Sequence, residues 1–378
     1  MRVGVLINSI EVFGGIGKIA VEEVKNLRKL GVDAELVVYM DAGKINKYEE
    51  ISEDIPIVRL AEFLPPELRI NRRIPIFTIF NFGHLAFPFL LPKYVKGRWD
   101  VVVNHESYLT FLLLRLGVPY IQVVWDPVEY IMRRVYNFGW LKYINWLLRF
   151  LGKQLDILFL TRAKYVFLGG SAHVDFMNEL GVEYGFLYPS VYPLDNIGAP
   201  KEDFVFMITG WKNGKNPEYL FELLSACPEL KIKMGGLWLD QNYREKFEAE
   251  VGKKGFSDRL EVLGSLSEKK LVGYLKTARV VLQTNDDRGF GMPALEAAGC
   301  GCSFIIPKGQ GVCDLFENGV EGFFTTECDT DTIVDLLRRF LEDESFAVEM
   351  GRKAWEKVKS SYSWKAHCEG ILDIIEGF

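Results

Sequence analysis

The sequence predicts two doubly wound α/β domains and a C-terminal helix that returns to the first domain. The chain has 378 residues, more than one compact core usually holds. Short β-branched runs alternate with segments of helical period, which is typical of parallel sheets covered by helices. Prolines and clustered acids near residues 190–203 indicate a linker. We therefore expect domains at 1–197 and 198–362, followed by a helix at 363–378.

The first domain begins with the strand VGVLI and a helix over Gly15 to Leu30. Apolar side chains recur on one face of that helix, and Gly31 provides its C-terminal stop. The later strand signals of this domain are ELVVY, VVVN, YIQVVW and YVFLGG. This order predicts that the first helix packs on the sheet.

A second series of strands follows the linker. Its strand signals are FVFMITG, KIKMGG, LEVLG, VVLQT and SFIIP, each separated from the next by a helical segment. The last stretch, Trp364 to Phe378, is a helix that we expect to cross back to the first domain. Doubly wound sheets bind ligands outside the carboxyl ends of their strands, so we expect the site in a crevice between the domains.

Composition excludes several classes of protein. Apolar residues make up 49% and charged residues 25%, which excludes a disordered chain. The net charge of −6 argues against a nucleic-acid binder. The charge is unevenly distributed, with net +1 over residues 1–197 and net −7 over 198–378. The two halves are therefore expected to meet different partners.

Cysteine usage and hydropathy predict a cytoplasmic protein. The six Cys form no CxxC pair and no zinc spacing, so a reducing compartment is favoured. The N-terminal residues read as a strand rather than a secretion signal. The longest apolar tract, Phe77 to Leu91, is interrupted by polar residues and Pro88 and is too short to span a bilayer. Peripheral association with the inner face of a membrane stays open.

Two glycine-rich turns precede helices. Gly14, Gly15 and Gly17 follow the first strand, where backbone N–H groups and the helix dipole can bind an anion; a tight structural turn is the alternative. In the second half, Gly289 and Gly291 precede a helix that opens near Pro293, and a diphosphate would fit at its start. Glu296, expected in the first turn of that helix, suits hydrogen bonding to ribose hydroxyls.

The segment RGFGMPALEAAGCG resembles the motif E-G-F-G-x-P-x-x-E-A-x-A-x-G of the group 1 family of retaining, nucleotide-sugar-dependent glycosyltransferases with the two-Rossmann (GT-B) fold. Further similarity covers GGIGKIAVEEVKNLRKLG, ITGWKNGKNPEYLFELL, LEVLGSLSEKKLVGYLKTARVVL and PKGQGVCDLFENGVEGFF. The resemblance implies transfer of a sugar from a nucleoside-diphosphate sugar, without a metal or other cofactor.

The resemblance also implies a donor site in the second domain. Glu296 takes the place of the ribose-binding Glu, whereas the family's first Glu is replaced by Arg288, beside which Asp286 or Asp287 supplies a carboxylate. Lys215 stands where the family has its diphosphate-binding Lys, Lys212 lies nearby, and Trp211 stands at the Arg position. The predicted donor-binding set is Gly15, Gly17, Gly210, Lys212, Lys215, Gly289, Phe290, Gly291, Met292 and Glu296.

In the first domain, the resemblance places Asp126 near the reacting sugar. Trp125 stands where a His is common, and Asp126 either orients an acceptor hydroxyl or caps the following helix. The predicted catalytic set is Asp126, Asp287 and Arg288. His105 and Gly14 are weaker acceptor candidates, and a structural role for His105 stays open. Asp286 and Asp287 lack the D-x-D spacing of metal-dependent enzymes.

Residues 133–164 combine seven Lys/Arg and one acid, Asp156, with seven aromatic residues. Such a stretch suits the surface of an anionic membrane, or else the core of the domain or a dimer face. Membrane binding would fit a lipid-linked acceptor.

The sequence therefore predicts a cytoplasmic glycosyltransferase that acts on a hydroxyl acceptor, either lipid-linked or a glycan. An epimerase or phosphorylase on the same fold is one alternative. A catalytically silent subunit that binds sugar nucleotides is the other, favoured by Arg288 and Trp125.

Overall fold

The computed structural model describes residues 1–10, 14–40, 55–65, 67, 73–74, 77–135, 142–212, 215–284, 289–326 and 328–377. The chain divides into two units. The first consists of Met1–Pro189 together with Trp364–Phe378, and the second of Ser190–Ser363. Each unit is a sheet of parallel strands with helices, as the sequence predicts.

The first unit contains a seven-stranded parallel sheet in the order β3-β2-β1-β6-β7-β8-β9. The strands of this unit, including the antiparallel pair β4 and β5, are β1 (Arg2–Ile7), β2 (Asp33–Val38), β3 (Ile57–Arg59), β4 (Arg73–Ile74), β5 (Phe77–Asn81), β6 (Val101–Asn104), β7 (Tyr120–Val124), β8 (Tyr165–Leu168) and β9 (Gly185–Phe186). The chain order reverses between β1 and β6. This is the switch point at which doubly wound sheets bind ligands.

Among the described residues of the first unit, seven helices precede the linker. They are α1 (Gly15–Lys29), α2 (Phe82–Leu90), α3 (Pro92–Val95), α4 (Thr110–Leu116), α5 (Val128–Val135), α6 (Asn145–Leu160) and α7 (Val174–Leu180). Short 3₁₀ turns lie at Leu60–Phe63, Ser107–Leu109 and Ser171–His173. Helix α1 buries Ile19, Val24 and Leu27 and is followed by Gly31 at φ +87°, so both its packing face and its stop agree with the sequence prediction.

The second unit contains a six-stranded parallel sheet in the order β12-β11-β10-β13-β14-β15. Its strands are β10 (Val205–Ile208), β11 (Ile232–Gly235), β12 (Leu260–Gly264), β13 (Val280–Leu282), β14 (Phe304–Pro307) and β15 (Phe323–Thr325). Its helices are α8 (Tyr219–Ala226), α9 (Gln241–Lys253), α10 (Glu268–Thr277), α11 (Met292–Gly299), α12 (Thr330–Glu342) and α13 (Glu344–Ser361), with a 3₁₀ turn at Gly311–Leu315. The switch point lies between β10 and β13.

The unit boundary lies a few residues before the predicted position at 197/198. The linker packs on the second unit, where the Leu194 N–H donates to the Gly299 carbonyl at 2.9 Å. The Trp355 indole in turn donates to the Leu194 carbonyl at 2.8 Å. These bonds assign residues 190–197 to the second unit.

The C-terminal helix α14 (Trp364–Glu376) belongs to the first unit and packs on α1. It buries Trp364, Cys368, Ile371 and Ile375. Its His367 Nε2 lies 2.8 Å from Oε1 of Glu23 on α1, while Nε2 of His105, just after β6, lies 2.7 Å from Oε2. One buried carboxylate thereby joins three segments that are distant in sequence.

Candidate active site

The Gly289–Met292 turn is held in a conformation that requires glycine. Gly291 has φ +90°, and a Cβ there would lie 2.4 Å from Oε1 of Gln310 and 2.7 Å from Cγ1 of Val312. Two backbone bonds fix the turn, from the Gly311 N–H to the Gly289 carbonyl at 3.1 Å and from the Val312 N–H to the Phe290 carbonyl at 2.7 Å. The side chains of Phe290 and Met292 are buried. What this turn offers a ligand is therefore mainly backbone N–H groups at the start of α11.

Glu296 lies on α11, which otherwise buries mainly small and apolar residues. The helix begins at Met292 and has no acid in its first turn. Glu296 thus falls in the second turn, and our expectation of a first-turn position is wrong by about one turn. The residue is partly exposed and lies in the middle of the helix.

The second donor segment follows β10. Gly210 and Lys212 are exposed, and Lys215 is buried, with its N–H donating to the Lys212 carbonyl at 3.0 Å. Because β10 and β13 are parallel neighbours, the loops after them emerge at the same edge of the sheet. The structure therefore brings Lys215 and the Gly289–Met292 turn to one edge, at the switch point of the second sheet.

Trp211 is part of the hydrophobic core. It is 1% exposed, its indole donates to the Gly235 carbonyl at 2.8 Å, and its ring stacks on Trp238 at a centroid distance of 5.7 Å. The position that is an Arg in the family pattern therefore faces inward here. Any cationic contact to a diphosphate from this loop has to come from Lys212 or Lys215.

Three predicted residues lie outside the described part of the chain, namely Asp286, Asp287 and Arg288. Their roles stay predictions. Among the residues that the structure describes, no group of three His, Cys, Asp or Glu side chains is arranged to hold a metal ion. Metal independence likewise stays a prediction.

In the first unit, Gly14 is the N-cap residue of α1, with φ −94°. A Cβ at Gly14 would meet no atom within 4 Å, so neither the conformation nor the space requires glycine there. Gly15 and Gly17 occupy the first turn of α1, where no side-chain cap and no acid is present among the described residues. The N–H groups of this turn lie at the carboxyl end of β1, beside the switch point.

Asp126 lies just after β7 and is partly exposed. The sequence left open that it caps the next helix, α5. In the structure the N–H groups of Val128 and Glu129 both donate to the carboxylate of Asp156, each at 2.8 Å. Asp156 on α6 thus satisfies the first two N–H groups of α5 from a distant position, and the role of Asp126 stays a prediction. His173 Nε2 lies 3.8 Å from Oδ1 of Asp126.

His105 is not placed to contact an acceptor. Its side chain is 0% exposed, Nε2 pairs with Glu23, and Nδ1 accepts from the Trp125 indole at 3.1 Å. Trp125 is itself buried against Gly169, where a Cβ would lie 2.2 Å from the indole ring. His105 therefore supports Trp125 and Glu23, which corrects its assignment as an acceptor contact.

Glu106 is a site residue that the sequence reasoning missed. It follows His105 at the carboxyl end of β6, and its N–H donates to Oδ1 of Asn104 at 3.2 Å. Burial raises the pKa of Glu106 to about 7; hydrogen bonds from Tyr108 and from the Asn8 N–H oppose this rise, and the negative charge of Asp126 adds to it. Glu106 and Asp126 thus form a pair of interacting carboxyl groups at the switch point. The position of Glu106 just after the buried strand β6 is the sequence feature that could have indicated it.

Comparison with known proteins gives a consistent result. Residues 195–357 match the family described as "Glycosyl transferases group 1". A D-inositol 3-phosphate glycosyltransferase of Corynebacterium jeikeium is 24% identical over 170 residues, which are 43% of this chain and 40% of that protein. A tRNA-queuosine alpha-mannosyltransferase of Drosophila melanogaster is 32% identical over 101 residues, 26% of each chain. The chain thus spans less than half the length of these curated relatives.

Solved structures show the same fold over the whole chain. Anabaena Alr3699/HepE, in complex with UDP and glucose, has a TM-score of 0.75 at 16% identity and covers 100% of both chains. TarM has a TM-score of 0.76 at 11% identity and covers 99% of this chain and 98% of its own. Sucrose-phosphate synthase from Thermosynechococcus elongatus has a TM-score of 0.77 at 14% identity and covers 100% and 98%. The two-Rossmann architecture expected from the sequence is confirmed.

Proposed function

Because residues 195–357 match the family of group 1 glycosyltransferases, we propose that this chain transfers a sugar from a nucleoside-diphosphate sugar to an acceptor hydroxyl, with retention at the anomeric carbon. The proposal rests mainly on one observation, that two predicted donor-binding segments follow neighbouring strands at one edge of the second sheet. Lys215 follows β10 and the Gly291 turn follows β13, and these strands are parallel neighbours, so both loops leave the sheet at the same edge. A cation and a set of helix N-terminal N–H groups at one edge suit a diphosphate.

Each donor residue then has a role. Lys215 and Lys212 neutralise the diphosphate, whose negative charge grows as it leaves, and the N–H groups of Gly291 and Met292 bind its oxygens. Glu296 accepts hydrogen bonds from the ribose hydroxyls. UDP is the first nucleotide to test, because it is bound in the structure of Alr3699/HepE, with GDP as the alternative.

The reaction proceeds on one face of the sugar. The bond between the anomeric carbon and the diphosphate oxygen breaks, and the acceptor oxygen bonds to that carbon from the same side. The acceptor proton passes to the departing diphosphate oxygen, so that configuration is retained. Asp126 and Glu106, at the switch point of the first sheet, orient the acceptor hydroxyl. The acceptor is a glycan or a lipid-linked hydroxyl.

A second candidate is a protein that binds sugar nucleotides without turning them over. It is favoured by the inward position of Trp211, which leaves the family's Arg position without a cation. Hydrolysis of the donor separates the two candidates, since a glycosyltransferase generally transfers its sugar slowly to water.

The test combines binding and turnover. Purified protein is screened by thermal shift against UDP, GDP and their common sugar conjugates, because a ligand stabilises in proportion to its affinity. The best ligand is titrated by calorimetry, and donor hydrolysis and transfer are followed by product analysis. We expect Lys215→Ala and Glu296→Ala each to weaken nucleotide binding by about 1–3 kcal/mol, through lost charged or ribose hydrogen bonds.

The matched controls are Lys246→Ala on α9 and Glu261→Ala on β12, both exposed and outside the predicted donor set. They should bind nucleotide like the parent protein. Binding without hydrolysis or transfer of any donor would favour the silent subunit, and unchanged binding in both site variants would contradict the donor site.

A further inference from the structure

Helix α6 presents a broad apolar face to solvent. Trp146 is 70% exposed and Phe150 56% exposed. The other exposed apolar side chains of this helix and the residues just before it are Tyr143, Leu147, Leu151, Leu155 and Leu158. Their spacing of three or four residues places them on one side of a helix about 24 Å long. We call these seven residues the α6 face.

The orientation of α6 is fixed by its opposite side. Gly152 lies so close to α5 that a Cβ would be 3.0 Å from the Glu129 Cα. One turn further on, Asp156 accepts the first two N–H groups of α5, and Phe159 and Leu160 are buried. Because these contacts hold the helix by its other side, the α6 face cannot turn inward without losing them.

A second aromatic patch lies on neighbouring helices. Phe89 on α2 and Phe111 on α4 are exposed and meet edge to face at 5.7 Å, and the Arg115 guanidinium lies 5.3 Å from the Phe89 ring centroid. On the same helix as Phe111, Leu114 packs against a buried cluster of Val128, Met132 and Phe159, against which Ile144 and Leu148 also pack. The helix that carries Phe111 therefore shares this cluster with the beginning of α6.

The charges around the α6 face are mostly positive. Over the stretch 142–164, the basic residues are Lys142, Arg149, Lys153, Arg162 and Lys164, and the one acid, Asp156, is buried. Arg149 pairs with Glu129 and Lys153 with Glu179, whereas Lys142 lies over the Tyr143 ring at 5.0 Å. The exposed charges of this stretch itself are thus all basic.

These features together fit the surface of an anionic bilayer. Exposed Trp, Tyr and Phe on a helix bordered by Lys and Arg suit the boundary between headgroups and acyl chains, where the rings bury apolar area and the cations meet lipid phosphates. A second copy of the chain is a poorer occupant, because a twofold interface would bring the same basic residues of both copies together.

We propose that the α6 face and the adjacent Phe89–Phe111 patch dock the first unit on a bilayer that contains anionic lipids. This goes beyond the reaction proposed above and does not depend on it. Docking is peripheral: no helix of the described residues is long and apolar enough to cross a membrane.

The test is co-sedimentation of the full chain with vesicles of phosphatidylcholine alone and of phosphatidylcholine mixed with phosphatidylglycerol. We expect binding to the mixed vesicles only, weakened by added salt because the attraction is electrostatic.

Trp146→Ser combined with Phe150→Ser should lower the partition coefficient at least about 10-fold. Lys142→Glu combined with Arg162→Glu should lower it at least about 25-fold, since each surface cation contributes about fivefold.

The variants change exposed residues and are matched by controls on the second unit. Tyr192→Ser with Val348→Ser removes exposed apolar side chains there, and Lys246→Glu with Lys270→Glu reverses exposed charges. Both controls should sediment like the parent protein. Thermal unfolding of every variant confirms that it is folded.

Three outcomes would overturn the proposal. The first is the absence of binding to mixed vesicles, and the second is equal binding to both kinds of vesicle. The third is a dimer, detected by analytical ultracentrifugation, that Trp146→Ser with Phe150→Ser converts to a monomer while vesicle binding is unaffected. That last result would assign the α6 face to a second copy of the chain.

Discussion

Glu106 and Asp126 show how much a residue's chemistry depends on neighbours that are distant in sequence. Glu106 receives hydrogen bonds from Asn8 after β1 and from Tyr108, and it senses the charge of Asp126 after β7. Burial raises its pKa most, and groups at three strand ends of one sheet modify that shift. Within the proposed function, a carboxyl that takes up and releases a proton near neutral pH beside an ionisable partner suits the binding of an acceptor hydroxyl.

Replacing Glu106 should change how stability depends on pH. The folded-state pKa is raised from 4.5 to about 7, so the contribution of Glu106 to stability is complete below pH 4.5 and is lost as the pH rises through 7. Glu106→Gln removes this dependence. The difference in free energy of unfolding between the variant and the parent protein should therefore shift by about 1–3 kcal/mol in favour of the variant from pH 5 to pH 8.

Urea unfolding at both pH values measures this difference, with Glu261→Gln on the surface of β12 as the control. The control should follow the parent protein at both pH values. A difference between Glu106→Gln and the parent that stays constant with pH would contradict the raised pKa.

The sequence indicates which residues follow the strands of the sheet, but not what surrounds their side chains. It selected Asp126 from a family pattern and His105 from its place after a strand, and only the structure shows that His105 is enclosed by Glu23 and Trp125. The neighbouring Glu106 has the same sequence signal as His105. Which of two consecutive residues points into the core depends on packing, and packing could not be predicted from a single sequence.

At the scale of elements, the turn before α11 is the part of the donor site that the sequence predicts best. Gly289, Phe290 and Gly291 precede the helix and Pro293 is its second residue, where a proline suits the first helical turn. The structure adds the reason for Gly291, namely its φ of +90° and the closeness of Gln310 and Val312.

The two glycines of this turn form a matched pair for mutation. Gly291→Ala places a Cβ 2.4 Å from Gln310 in a left-handed conformation, so we expect a loss of about 1–3 kcal/mol in stability and weaker nucleotide binding. Gly289→Ala meets no atom within 4 Å and should leave stability nearly unchanged. Thermal unfolding and calorimetry measure both effects. Equal stability of the two variants would show that the turn tolerates a side chain at Gly291.

The capping of α5 illustrates what element prediction misses. Proline and an acid stand just before this helix, which is a local capping signal, yet the cap comes from Asp156, on the next helix along the chain. Local patterns predict that a helix begins near Pro127. They do not indicate that two of its N–H groups, those of Val128 and Glu129, are satisfied by a distant carboxylate.

For the whole molecule, the alternation of strands and helices was enough to predict two doubly wound domains, because buried parallel strands appear as short apolar runs. The position of the unit boundary was less predictable. The prolines near residue 190 lie close to the division between the units at Pro189/Ser190, but the following residues pack on α11 and α13 through Leu194 and belong to the second unit.

The clamp of Glu23 with His105 and His367 joins residues far apart in the chain. Burial alone raises the pKa of Glu23, but the charges and hydrogen bonds of the two His residues outweigh it and lower the pKa to about 2. Removing the carboxylate leaves both rings without their shared partner. We expect Glu23→Gln to lower the free energy of unfolding by about 3–5 kcal/mol at pH 7.

The pH dependence distinguishes this clamp from simple packing. A lowered pKa contributes stability above the unfolded value of 4.5 and loses it as the pH falls towards 2, so the difference between Glu23→Gln and the parent should shrink over that range. Urea unfolding and hydrogen exchange of α14 amides measure it. Glu369→Gln, on an exposed position of α14, is the control. A difference that persists unchanged at low pH would assign the effect to shape alone.

The return of α14 to the first unit also sets an order in time. During synthesis Met1–Pro189 emerges from the ribosome first, but the helix α14 of the same unit emerges only after the whole of Ser190–Ser363. Until then Glu23 has no His367, and the side of α1 that α14 will cover is open to water or to a chaperone. The second unit can therefore be completed before the first unit, which still lacks α14.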